Sequence, residues 1–377
     1  LNADRGTVFL YDESANELVV RVGTGLDQIR IPADKGIVGE SAQTRTLINV
    51  PDCYADERFN RAIDKQTGYR SRCMLTVPLI GYEESLVGVL QILNKNDGVF
   101  NETDEFVAQA LAAQAAVVLH RAKITEQMIA SERLDREISV ARDVQMGTLP
   151  KDMPRIDGYE FGGAFAPTDQ TGGDLYDFVP LNDKQLFLLM GDATGHGIGP
   201  ALSATQVRAM LRVAIRLESS LDDAFVHIND QLCDDLPDDR FVTGFFGLLD
   251  AETNTVRFHS GGQGPIMHYQ AEMGEFVWHP ATTFPLGYIP QSDLQPPITA
   301  ELEPGDVLGL ISDGIYEYEN EHGAQFGRQG VIRVIDENPN AGAQELVDKI
   351  MAAAREHGGS APQADDITIV VARRLLE

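Results

Sequence analysis

Cysteine is nearly missing from this chain. Cys53, Cys73 and Cys233 are its only three. They are odd in number and lack metal-type spacing, which excludes a disulfide framework and points to a reducing cytoplasm. No apolar run approaches the ~20 residues that a membrane helix needs, and no signal peptide is visible. Positive charge is short as well: 30 Lys and Arg stand against 58 Asp and Glu, a net charge of −28 with no basic stripe. Nucleic acid and anionic membranes are poor partners for such a surface. No Gly-x-x-x-x-Gly-Lys loop appears, so kinase and ATPase readings have no support. What is present is a chain of 377 residues, 43% hydrophobic, enough for two or three packed domains.

The later part of the chain repeatedly delivers a carboxylate to the end of a strand. The apolar run Leu186-Phe-Leu-Leu-Met190 stops at Gly191-Asp192, passes Gly195 and Gly197, and restarts as a helix near Pro200. Asp306-Val-Leu-Gly-Leu-Ile-Ser-Asp313-Gly314 repeats the pattern, Asp365-Asp366 opens another strand, and Gly172-Gly173-Asp174-Leu-Tyr-Asp177 is a fourth acidic cluster. Each Asp alone reads as an ordinary turn residue. Brought together, they would repel unless a cation lay between them, and an all-oxygen set suits a hard ion.

These four motifs, in this order, resemble the metal-dependent PPM protein phosphatases of the SpoIIE/RsbU-like branch over roughly residues 150 to 377. The resemblance implies a four-layer α-β-β-α sandwich and two Mn²⁺ or Mg²⁺ ions. It implies that Asp192 bridges the ions, that the Ala193 carbonyl ligates one of them, and that Asp313 and Asp365 ligate the other. Asp174 and Asp177 match the first acidic motif, with Asp174 favoured for ligation, and Asp366 is placed behind the ligands. His196 stands four residues after the bridging Asp and reads as a turn residue rather than a general acid. Residues 164 to 173 contain no Arg, which leaves phosphate binding to the metals.

Residues 1 to 120 read as a small sheet domain, with strands at 7–11, 17–22, 73–80 and 85–93, a short helix after Gly36 and a charged loop at 51–70. The domain is similar to the GAF family. Asn94-Lys95, Phe100 and Asp104-Glu105 match the signature of its cyclic-nucleotide type, which makes Lys95 and Asp104 candidate ligand-site residues, or else an ion pair clasping strand to helix. The chain begins at Leu1 without the family's leading helix, so this domain is expected to be N-terminally incomplete.

From Glu102 to Thr148 there is no Pro, and no Gly before Gly147, which predicts one long helix ending before Pro150. Ile124 and Met128, then Leu134, Ile138, Ala141, Gln145 and Thr148, follow a 4-3-4 rhythm that fits a coiled-coil seam and an amphipathic helix docked on the next domain equally, and the family resemblance favours the seam. The expected organisation is α+β: a GAF-like sensor at 1–120, a helical coiled-coil linker at 121–149 and a phosphatase domain at 150–377, forming a homodimer. The expected activity is a bacterial protein serine/threonine phosphatase acting on a phosphorylated anti-sigma-factor antagonist, with a small molecule or cyclic nucleotide at the sensor. The competing reading is a non-catalytic signalling scaffold.

Overall fold

The computed structural model describes residues 1–23, 29–291 and 294–376. The chain forms two compact units, Leu1–Leu134 and Asp135–Glu377, each described by itself.

In the first unit, strands β1 (Ala3–Asp12) and β2 (Glu17–Gly23) form the expected hairpin. The Asp12 carboxylate accepts from Ser14 and the Ala15 amide, and Asn16 takes φ +53 to close the turn. There follow β3 (Arg30–Pro32), helix α1 (Gly36–Thr44), β4 (Ile48–Val50), α2 (Arg61–Thr67), β5 (Met74–Ile80) and β6 (Leu86–Lys95), in a sheet ordered β3-β2-β1-β6-β5-β4. Strands β3 and β4 have three residues each, too few to show a period of two. Helix α2 occupies the charged stretch expected to be loop, where the Asn60 side chain caps it by accepting from the Ala62 amide. Helix α3 (Glu102–Thr148) starts and stops where the sequence predicts and continues into the second unit. Its small residues Ala108, Ala112 and Ala116 pack on Leu75, Val77 and Leu79, while α1 covers the other sheet face through Val38 and Ala42.

The second unit is a sandwich. One sheet holds β8 (Asp174–Pro180), β9 (Gln185–Ala193), β10 (Val242–Asp250), β11 (Thr255–Gly261) and β14 (Ile298–Glu301). The other holds β7 (Tyr159–Ala166), β12 (Ile266–Gln270), β13 (Glu275–His279), β15 (Val307–Ile311) and β16 (Ile367–Arg374). The strand period of two sorts the side chains into layers. On β9, Leu186, Leu188 and Met190 point inward to meet Phe161, Leu308, Leu310 and Val370 of the facing sheet. Phe187 and Leu189 point outward, under α4 (Ile198–Arg216) and α5 (Leu221–Asp235). The opposite outer face, with Ile311, Ile367 and Ile369, is covered by α6 (Asp313–Tyr316), α7 (Gly327–Glu337) and α8 (Ala343–Gly358). The four-layer α-β-β-α architecture is therefore present. Edge strands β13 and β14 and helix α7 were not foreseen: the strands are short, and Gly327 and Gly330 break up the helical pattern.

The sandwich depends on the inward row. Phe245 is fully buried between the sheets. Truncation by Phe245→Ala is expected to cost about 3–5 kcal/mol, read as an earlier urea midpoint with unchanged slope.

Candidate metal centre

The two sheets open at one end, and the acidic motifs meet there. Asp174 and Asp192 are directly paired residues on β8 and β9, so their side chains leave the sheet on the same side. That side is the inter-sheet face, because Tyr176 and Met190, two residues away on each strand, belong to the central core. Thr243 of β10 pairs with Asp192 and extends the row, its hydroxyl donating to Gln263 Oε1 at 2.8 Å. From the facing sheet, Asp313 opens α6 after β15, and Asp365 and Asp366 lie just before β16.

The electrostatics carry the mark of crowding. Asp174 is 2% exposed, and its Oδ2 is buried without a hydrogen-bond partner. Burial first, then the Asp192 charge, holds its carboxyl well above the ordinary range, and Thr368 is the neighbour favouring its charged form. Burial with the charges of Asp313 and Asp365 pushes Asp192 up to about 7. Asp313 is raised by burial and by Asp365. Each carboxyl therefore resists ionising beside the others.

The backbone is drawn in closely around this group. A Cβ at Gly173 would collide with the Ala193 carbonyl oxygen, so that carbonyl and the Asp192 carboxylate share the space that the missing side chain leaves. Asp366 is spent on the scaffold: its Oδ1 accepts from the Thr168 amide at 2.7 Å and its Oδ2 from the Gly173 amide at 2.6 Å. It holds the first acidic loop in place, consistent with a position behind the ligands. Asp365 Oδ1 accepts from the Asp366 amide at 2.8 Å. His196 is exposed, with Nδ1 3.3 Å from Asp169 Oδ2.

Among the described residues, no three His, Cys, Asp or Glu side chains converge closely enough to grip one ion as they stand. The donor set nevertheless fits a hard divalent cation. It is all oxygen, it includes a buried carboxylate oxygen with no partner, and its members repel in a way that positive charge would relieve.

Two expectations are corrected, and a choice between two readings is decided. Asp177 does not join the metal group. It lies three residues from Asp174 on a strand, and an odd offset sends it to the opposite face. There it is fully buried under α4, with Arg212 Nε at 2.6 Å and Nη2 at 2.8 Å, and Arg208 Nε 2.9 Å away. Sequence reading missed this pair, although Arg208 and Arg212 stand one helical turn apart. Gln145 does not sit in a helix–helix seam. It is 5% exposed, its Nε2 donates to the Gly172 carbonyl at 2.6 Å, and its Oε1 accepts from the Gly172 amide at 3.2 Å. Lys95 and Asp104 do form the clasp, an ion pair, with Asp104 also accepting from the Asn101 amide at 2.9 Å. Neither lines the cavity of about 400 Å³ in the first unit, which is bounded by Phe9, Ile31, Ile37, Asp64, Met74 and Gln91 among others.

A two-sheet sandwich flanked by helices, with carboxylates gathered at its strand ends, is the architecture of a PP2C-type phosphatase domain. The family model of Stage II sporulation protein E (SpoIIE) matches residues 182–375, and that of the GAF domain matches residues 1–119. The chain belongs to the SpoIIE family and carries an N-terminal GAF domain. The SiaA-PP2C domain of Pseudomonas aeruginosa shares the fold, with TM-score 0.54 and 21% identity over 64% of this chain and 97% of that one. The PP2C phosphatase domain with a regulatory-domain fragment of SpoIIE from Bacillus subtilis gives TM-score 0.51 and 14% identity, covering 97% of this chain and 82% of that one. A probable 3',5'-cyclic phosphodiesterase, pde-5, of Caenorhabditis elegans is 34% identical over 147 residues, 35% of this chain. The chain spans about a fifth of the length of that curated relative, 20%. No helix among the described residues is long and apolar enough to cross a membrane.

Two neighbouring carboxylates should behave oppositely. Asp177→Asn leaves Arg208 and Arg212 facing each other and is expected to cost roughly 3 kcal/mol, the lower end for a broken buried pair because Arg212 reaches solvent. Asp174→Asn should leave the metal-free protein at least as stable as wild type and abolish stabilisation by Mn²⁺. Thermal melts with EDTA and with Mn²⁺ check both. Because the Asp192 carboxyl is raised, folding without metal favours its protonated form. Stability present below the ordinary carboxylate range should fall as pH rises towards about 7, and saturating Mn²⁺ should remove that fall.

Proposed function

We propose that this chain is a metal-dependent protein serine/threonine phosphatase that hydrolyses phosphoserine on a partner protein of the anti-sigma-factor antagonist type. The observation that carries the reading is the row Asp174–Asp192 facing Asp313 and Asp365, with a buried Asp174 oxygen left without a partner. A scaffold without chemistry has no reason to hold carboxylates whose ionisation is opposed by their own neighbours.

In this reading Asp192, Asp313, Asp365 and Asp174, together with the Ala193 carbonyl oxygen, would hold the two ions. When bound, a pair of Mn²⁺ or Mg²⁺ ions supplies charge relief for the phosphoryl oxygens and a water of lowered pKa. The residues of the chain set the stage for that chemistry. Asp366 fixes the 168–174 loop through the Thr168 and Gly173 amides. The Thr194 amide donates to the Phe241 carbonyl at 3.1 Å and fixes the loop after Asp192. In the overall reaction a water oxygen bonds to phosphorus, the phosphorus–oxygen bond to serine breaks, and the serine oxygen leaves with a proton.

The GAF domain is proposed to regulate this activity through a small molecule in its 400 Å³ cavity, with the Lys95–Asp104 clasp keeping α3 on the sheet. A cyclic nucleotide remains the ligand suggested by the sequence signature. A homodimer is proposed through exposed apolar residues of α3, Val117, Ile124 and Met128. The domain limits 1–120, 121–149 and 150–377 and a cytoplasmic location are retained as part of this proposal.

Hydrolysis of p-nitrophenyl phosphate with and without Mn²⁺ tests the class. Wild-type protein should turn over only with metal, and Asp192→Asn or Asp313→Asn should lower kcat by at least about 10²-fold, the scale for losing one electrostatic stabiliser. Wild-type turnover by either variant at saturating Mn²⁺ would refute the ligand assignment.

A further inference from the structure

Beside the acidic row lies a surface that the chemistry does not use. Val242 and Leu286 exchange backbone hydrogen bonds of 2.9 and 2.8 Å, which lays the 283–288 segment along the strand bearing Thr243, the partner of Asp192. Two strand spacings of about 4.8 Å therefore separate this segment from the proposed metal ligand. Leu286 is buried, but the two aromatic side chains of the segment face solvent: Phe284 and Tyr288 are each 57% exposed, with ring centroids 6.0 Å apart. Phe241 joins them, 6.1 Å from Tyr288 and edge-on, while its own backbone is bonded to Thr194 in the loop after Asp192. Three aromatic rings thus stand together on the rim of the site. They help to fill no core cluster.

The residue next to this cluster is Arg240. Its guanidinium lies against the start of α4, where Nη1 would be 2.6 Å from a Cβ placed on Gly199. Leu202, 65% exposed, stands one turn further along that helix. Arg240 is exposed, and among the described residues its guanidinium has no ion pair or side-chain hydrogen bond. Aromatic rings beside an available Arg are the residue types that dominate binding hot spots.

We infer that Arg240, Phe241, Phe284 and Tyr288 form the docking surface for the segment of the substrate protein that carries the phosphoserine. The aromatic rings receive a large apolar side chain, and Arg240 pairs with a carboxylate flanking the phosphorylated residue. A carboxylate is favoured over the scissile phosphate because the guanidinium is turned to α4, outside the sheet, whereas Asp174 and Asp192 face inward. Continuity with the row Asp174–Asp192–Thr243 selects a phosphorylated segment over a second copy of this chain, and the charge of Arg240 fits a carboxylate beside the phosphorylated residue. The inference rests on the phosphatase reading and adds to it the sequence preference of the substrate.

The test uses the full chain with Mn²⁺ and three probes: p-nitrophenyl phosphate, a phosphoserine peptide flanked by Glu and Leu, and the same peptide flanked by Ala. Wild type should prefer the Glu/Leu peptide in kcat/KM. Arg240→Ala and the double variant Phe284→Ala/Tyr288→Ala should each lower kcat/KM for that peptide about tenfold more than for p-nitrophenyl phosphate, the discrimination that a lost apolar or charged contact supports. Arg240→Glu should move the preference to a peptide flanked by Lys and Leu. Equal losses on peptide and p-nitrophenyl phosphate, or no loss on either, would overturn the inference while leaving the phosphatase reading intact. So would variants that change only self-association measured by light scattering. A wild-type protein that hydrolyses none of the three probes would remove the phosphatase reading and this inference with it.

Discussion

Carboxylates that repel one another, held at the open end of a sandwich, are the constraint on which the second unit depends. Asp174 and Asp192 cannot move apart, because they are cross-strand partners in a ladder that continues for six further residue pairs. Asp313 and Asp366 arrive from the facing sheet, tied by the Ser312 hydroxyl to the Asp366 carbonyl at 3.3 Å and by the Thr368 amide to Ser312 Oγ at 2.9 Å. The unfavourable charge at this end is offset by the apolar layers behind it, where whole strands bury alternate residues on both faces. Stability and reactivity are thus assigned to different ends of the same strands.

Much of the fold and part of this site are legible in the sequence. A strand that stops at Gly-Asp announces where its carboxylate must sit, and four acidic motifs in one order, two closing strands and two opening them, pointed to a shared site. The four layers came with the family resemblance; the run Leu186 to Met190, apolar throughout, showed only a buried strand, and the structure divides it between two cores. What failed was parity and distance. Asp177 was grouped with Asp174 by proximity in the chain, although three steps along a strand reverse the face, an argument the sequence already permitted. Gln145 fitted an apolar rhythm by spacing alone, and its real partner is a backbone 27 positions away. Edge strands β13 and β14, of five and four residues, carried too little periodicity to stand out. The rim aromatics were invisible because nothing local distinguishes an exposed Phe284 from a buried one.

The first unit shows the same division between motif and function. Its most specific sequence signature, Asn94-Lys95 with Asp104, turns out to be joinery: Asn94 is 4% exposed and binds the backbone of Arg70 and Arg72, while Lys95 holds the first turn of α3. The cavity is lined instead by residues such as Ile31, Met74 and Gln91, which no short motif marks. A signature can therefore identify a domain through the residues that brace its pocket rather than through those that touch a ligand.

The glycines at the open end have a further consequence. A side chain at Gly172 or Gly314 would run into Asp366, and one at Gly173 would run into Ala193. These positions admit almost no substitution, so lineages that keep the reaction must keep them. Phe284 and Tyr288 carry no such restriction: both are exposed, and changing them displaces no carboxylate. If the rim is the substrate-docking surface proposed above, descent can rewrite which protein is recognised while the reaction stays fixed, and duplicated copies of such a chain are free to part company in partner long before they part company in chemistry.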